Sequence, residues 1–274
     1  CTDSNANPPV TNMRGPVCNG QSLIGRIQYR GYGMIEIVND TTLAIANGAY
    51  PDQFASSWEH DSTPFTTIPP NPMYPPVTGN YTRIRDNVLG RFSSTTTLTE
   101  AQVQVAWIRV WNPNPNAALP AANADAYDLE TRLGNIVRLM KTRYPNLQIV
   151  FVSSREYGGY ATSTLNPEPY AYESGFAVKW LIEAQIDQMA NGGTVVDPRA
   201  GDLDYTTGVA PWIAWGPYVW SNGAAARLDG PNWVPQDFDP ASPSFSTYKS
   251  LQGQSKLGLV LMRFFTLSPF TKCW

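Results

Sequence analysis

The chain has 274 residues, a net charge of -3 and only 15% charged residues. That balance offers no basic stripe to neutralise phosphates, which argues against nucleic acid as a partner. No run approaches the roughly 18 apolar residues of a membrane helix, and the length suits one α/β domain or two small ones.

The sequence opens on Cys1 without an initiator methionine, so we expect an exported chain, at the cell surface or beyond it, whose leader has been removed. Cys1 is followed by the polar string "TDSNANPPV". Two uses of it stay open: a lipid anchor on a tether, the one expected hold on a membrane, or an intermolecular bond. Three cysteines leave one over after any intrachain pair. We expect Cys18 to bond Cys273, stapling the N-terminal arm to the C-terminus in an oxidising compartment. "NDT" at Asn39 and "NYT" at Asn80 are candidate glycosylation sites.

"GMIEIV" (33–38) reads as an early strand, and prolines at 64, 69, 70, 72, 75 and 76 make the next stretch a surface excursion. From residue 98 the pattern changes. "VQVAWIRV" (103–110) and "LQIVFV" (147–152) are nearly continuous apolar runs, the signature of strands buried on both faces. Between them Leu129, Leu133, Ile136, Val137 and Met140 share one helical face, closed by Tyr144-Pro145. Ser174 is placed to cap a second helix, with Val178, Leu181, Ile182, Ile186 and Met189 on its buried face and Gly192-Gly193 after its end. "PWIAW" (211–215) gives a third strand, and Leu257, Leu261, Phe264 and Phe265 a final amphipathic helix. Strand and helix in alternation predict a parallel sheet covered by helices on both faces. We read an arm at 1–32 and a single α/β domain at 33–274, with the Pro-rich excursion at about 60–80.

The strings "TEAQVQVAWIRV", "YPNLQIVFVSSREYGGYATSTLNPEPYAYESGFAVKWLIEAQI", "PWIAWGPYVWSNG" and "DGPNWVPQDF" resemble the C-terminal two-thirds of secreted bacterial proteins in the SGNH/GDSL hydrolase superfamily. The resemblance covers roughly residues 98–274. It implies a flavodoxin-like three-layer α/β/α sandwich with a loop-rich, Pro-rich N-terminal third. It also implies an ester-cleaving serine after the first strand, with its base supplied by an Asp-x-x-His near the C-terminus. Here that motif's positions fall on Asp239 and Ser242 in "DPASPS", so the histidine is replaced by a hydroxyl. The nucleophile position falls on Asn39 of "IVNDTT", with Ser22 of "GQSL" as a rival.

His60, the one histidine, stands between Glu59 and Asp61 in a loop, and it serves as base only if that loop folds back over the strand ends. One histidine and three scattered cysteines give no zinc spacing, and no phosphate-binding glycine loop follows a strand. No metal or cofactor is expected. A glycosidase pair drawn from Glu156, Glu168, Glu173 or Asp239 is a further candidate.

Arg155 and Glu156 directly follow "LQIVFVSS", which puts them at the carboxyl edge of the sheet, where open α/β folds bind ligands. With Tyr157 and Trp215 they make a candidate aromatic cleft suited to glycans; the bland alternative is a structural ion pair among packed rings. Taken together, the readings predict an exported, catalytically degenerate SGNH-like protein that self-associates in a structural role, a filament or surface layer. An active carbohydrate esterase and a non-catalytic glycan-binding module remain the alternatives.

Overall fold

The computed structural model describes residues 26–30, 34–38, 46, 48, 54–60, 79–90, 97–228, 230–239 and 249–270. Strands β1 (Arg26–Arg30) and β2 (Met34–Val38) pair antiparallel, Arg26 opposite Val38. A short helix α1 (Asn80–Arg83) widens into a π-helical stretch at Ile84–Leu89. Then follow β3 (Val105–Ile108), α2 (Asp125–Arg143), β4 (Ile149–Val152), α3 (Tyr170–Ala190), β5 (Trp212–Trp215) and α4 (Leu251–Leu267). The fold is mixed α/β, built on a three-stranded parallel sheet in the order β3-β4-β5.

The sheet forms where the apolar runs predict it. Successive side chains of a strand point to opposite faces, and β4, buried throughout, feeds two apolar clusters. Val150 and Val152, with Ile213 of β5, join Leu133, Val137, Val178 and Leu181 of α2 and α3. Ile149, Phe151 and Ala214 meet Phe264 and Phe265 of α4, with both Phe rings edge-on to Phe151. β3 is only half-buried, shorter and less enclosed than its apolar sequence predicts.

All five predicted face residues of α2 are buried, and the helix ends at Tyr144, whose N–H donates to Met140 O. Asp125 and Asp128 lie in its first turn and Lys141 and Arg143 in its last, matching the helix dipole. In α3 the expectations need two corrections. The helix starts four residues before Ser174, whose hydroxyl instead donates to Ala171 O and accepts the Arg155 N–H. Ile186 is 59% exposed, while Gln185 and Gln188 are buried. Gln185 donates to Leu203 O and Pro211 O and accepts from Ile213 N–H; Gln188 donates to Gly193 O and accepts from Leu203 N–H. These amides satisfy loop and strand-edge groups that an isoleucine would leave bare. Gly192 and Gly193, with φ of 64° and 88°, take the left-handed conformation that terminates the helix.

β2 is the strand expected at 33–38, but its partner is β1, a strand the sequence reading missed, and not the parallel sheet. α4 lies against β1. Most of the Pro-rich excursion falls outside the described residues.

Glu130 is buried on α2 beside Asp197, with Arg199 close by. Burial first, then the Asp197 carboxylate and a hydrogen bond to it, push its carboxyl up to about 7, against an opposing pull from Arg199. The folded chain therefore keeps this proton up to about pH 7, whereas the unfolded chain sheds it near 4.5. Stability is expected to fall as pH rises between those values, by roughly 3 kcal/mol in all. Glu130→Gln, neutral at every pH, is expected to flatten this slope and to raise stability at pH 8, read by urea unfolding across pH 4.5–8.5. An unchanged slope would show that the carboxyl is not held protonated.

Candidate functional site

In an open parallel sheet the loops leaving the carboxyl ends of the strands meet on one edge, the usual place for ligands. Here one hydroxyl ties all three strand ends together. Ser153, directly after β4, accepts from the Trp107 indole of β3 at 2.9 Å and donates to Pro217 O after β5 at 2.8 Å. Gly216 makes this possible, since a Cβ there would stand 2.5 Å from Ser153 Oγ and 3.1 Å from the Trp107 ring.

Above this tie the edge is filled by charge. The Glu156 carboxylate contacts Arg109, which follows β3, through Oε2, and Lys249, just before α4, through Oε1. Glu156 is fully buried, and Lys249 is 3% exposed. Arg155, also fully buried, lays its guanidinium 4.5 Å from the centre of the Trp111 ring. The Lys249 ammonium sits 4.4 Å from the Phe238 ring and 5.2 Å from Trp233. Burial, then the Arg109 and Arg155 cations, hold its pKa well below that of an ordinary lysine, with Asp237 opposing. Asp237 is buried too, accepting from Val234 N–H, Gln252 and Lys256 and so fastening α4 to the preceding loop. Buried charges persist only when paired and hydrogen-bonded, so among the described residues this cluster is an interior brace.

Beside the brace, between α3 and the loop after β5, lies an open cleft of about 290 Å³. Tyr172, Phe176, Trp215 and Tyr218 supply its rings, Lys179 its charged rim and Gly175 part of its wall. A second, polar cleft of about 320 Å³ lies where the loop after β3 enters α2. There the Asn112 amide donates to both Asp125 and Asp128.

The predicted site residues divide among these places. Arg155 and Glu156 do follow β4 at the sheet edge, but both are interior, and Glu156 pairs with Arg109 and Lys249. Tyr157 packs edge-on to Tyr160 and Trp220, and Trp215 alone of the four lines the aromatic cleft. Glu168 accepts from Gly158 N–H and the Trp220 indole, and Glu173 accepts from Leu119 N–H, so both are structural acceptors. His60 is exposed, its side chain 64% accessible, and Nε2 lies 3.7 Å from Glu59. Asn80, one of the two sequon asparagines, is buried and its amide donates to Ser57 O. Asp239 is half-buried beside Phe238, which bridges to Lys249. Cys1, Cys18, Ser22, Asn39, Ser242 and Cys273 lie outside the described residues.

The sequence reading missed Arg109, Lys249 and Asp237. No short motif marks them, because Glu156 meets Lys249 across 93 residues of chain and Arg109 across 47. No protein-family model matches the chain, and no curated protein or solved structure does either.

Removing the central carboxylate leaves two cations buried without their shared partner. Glu156→Gln is expected to cost about 3–5 kcal/mol in urea unfolding. Adding Lys249→Met, which removes one stranded charge, is expected to recover part of that loss. A Gln variant as stable as the parent would mean that the ion pairs do not brace the fold.

Proposed function

We propose that this chain is an exported, catalytically degenerate SGNH-hydrolase-like domain with a structural, self-assembling role at the cell surface. In this reading α2 and α3 form one outer layer and α4 the other of a flavodoxin-like three-layer sandwich. The observation that carries the proposal is the closed carboxyl edge. Ester hydrolysis needs an exposed hydroxyl, a base beside it and donors for an oxyanion. At the ends of β3, β4 and β5 the space holds instead a buried carboxylate between two cations. Ser153 is buried, its hydroxyl already engaged as both donor and acceptor. The imidazole of His60 neighbours Glu59, which is itself held by Arg132 of α2.

The structural half of the proposal is supported by apolar side chains left in solvent. Leu259 and Leu267 of α4 are exposed, as are Phe270 and Trp212, whose rings meet at 5.4 Å. Exposed apolar groups grouped on one helix and the adjoining sheet end favour contact with another copy of the chain.

Two measurements test this. With 4-nitrophenyl acetate the protein is expected to give no turnover above a Ser22→Ala variant; turnover lost in that variant would restore the hydrolase reading. In sedimentation velocity over a concentration series, the parent is expected to polymerise and the Leu259→Lys, Leu267→Lys double variant to remain monomeric. A parent that stays monomeric throughout would refute self-assembly.

A further inference from the structure

The aromatic cleft beside the closed edge has the features of a ligand site. Its rings are set in two near-perpendicular pairs: Trp215 against Tyr218 at 85° and Tyr172 against Phe176 at 87°. Tyr172, 42% exposed, also leans on Trp220 with centroids 4.6 Å apart. Its position is set from beneath, because its backbone N–H donates to Glu168 Oε2 while the Trp220 indole donates to Glu168 Oε1. One carboxylate thus holds two neighbouring aromatic residues, which pre-organises this side of the cleft before any ligand arrives.

Size and charge narrow the ligand. A cleft of about 290 Å³ admits one ring-sized group and not a large fused cofactor. Cations are attracted to ring faces, but the Arg227 guanidinium already covers Tyr218 at 4.6 Å. The Lys179 ammonium, paired with Glu183, adds a second positive charge at the rim. Among the described residues no carboxylate lines the cleft itself: Glu183 is taken up by Lys179, and Glu168 by the Tyr172 N–H and the Trp220 indole. What remains is a neutral molecule with a flat apolar face to lie on a ring and hydroxyls around its edge. Lys179 can donate to those hydroxyls. Tyr218, whose phenol burial keeps protonated, can donate and accept.

We propose that the cleft binds a single pyranose unit of a neutral glycan, its C–H face on the exposed aromatic rings and its hydroxyls at the Lys179 and Tyr218 rim. The site stands apart from the ion-pair brace and requires no turnover. Its failure and that of the structural reading are therefore separable: an assembling protein without sugar binding refutes this proposal alone.

The test is titration of the intact protein with cellotetraose, chitotetraose, xylotetraose and maltotetraose, and with choline chloride, followed by tryptophan fluorescence and calorimetry. At least one tetrasaccharide is expected to bind saturably, with a Kd of about 1 mM or tighter, and choline is expected not to bind. Tyr172→Ala is expected to weaken that sugar at least tenfold, while Tyr172→Phe retains most of the affinity. Gly175→Val approaches the same space from the helix, since a Cβ there stands 3.4 Å from the Tyr218 ring; it is expected to weaken binding as well. Thermal melts close to the parent's identify folded variants. The proposal is overturned if no tetrasaccharide binds at about 10 mM, if choline binds in their place, or if folded Tyr172→Ala binds as the parent does.

Discussion

A carboxylate held between a guanidinium and an ammonium, all three away from water, is the constraint on which the carboxyl edge of this fold depends. Glu156 leaves β4, Arg109 leaves β3, and Lys249 enters α4. Their contacts join the sheet to a helix that reaches it from much later in the chain. Desolvating three charges is expensive, and their mutual attraction offsets that cost only in a fixed geometry. The cluster therefore specifies an arrangement more than it adds net stability. The aromatic neighbours act in the same sense: Trp111 lies under Arg155, and Phe238 and Trp233 lie near Lys249, giving the cations polarisable faces where water is absent.

The consequences spread outward from this point. α4 begins at Ser250, whose hydroxyl accepts the Gly253 N–H, immediately after Lys249. Asp237 holds the same end through Lys256 and Gln252. Anchored there, α4 directs Phe264 and Phe265 onto Phe151. On the opposite cluster the packing of α2 and α3 needs no charge in the strand core; β5 is held instead by the Gln185 amide, which joins Ile213 N–H to two loop carbonyls. Ser153 and Glu156 spend their hydrogen-bonding groups on the sheet edge itself. The proposed glycan site lies in the aromatic cleft beside it.

How much of this could be read from sequence follows from the range of the forces involved. Apolar periodicity is local, so the α2 face, β4 and the order of strands and helices were legible. The Ile186 expectation failed because amphipathic spacing cannot tell a buried glutamine that serves backbone groups from an exposed one. Ser174 misled for a related reason: a hydroxyl before an apolar face looks like a cap, and here it serves Arg155 from inside the helix. Arg155-Glu156 was correctly placed at the sheet edge, yet its role depended on Lys249, 93 residues beyond Glu156, which no motif announces. Of the cleft's rings, Trp215 was among the residues named from sequence and Phe176 was not. Which of them reach solvent was a matter of tertiary packing.

The central claim is that the strand ends are closed around Glu156 and Lys249, and the reactivity of one amine tests it. Burial and the neighbouring Arg109 and Arg155 cations hold the Lys249 pKa below the normal lysine value, so in an open site its amine would react readily with an acylating agent. Limited acetylation of the native protein with acetic anhydride, mapped by mass spectrometry, is expected to modify the half-exposed Lys179 and to spare Lys249 until the chain unfolds. Modification of Lys249 as fast as Lys179 or faster, in protein that is still folded, would contradict the account.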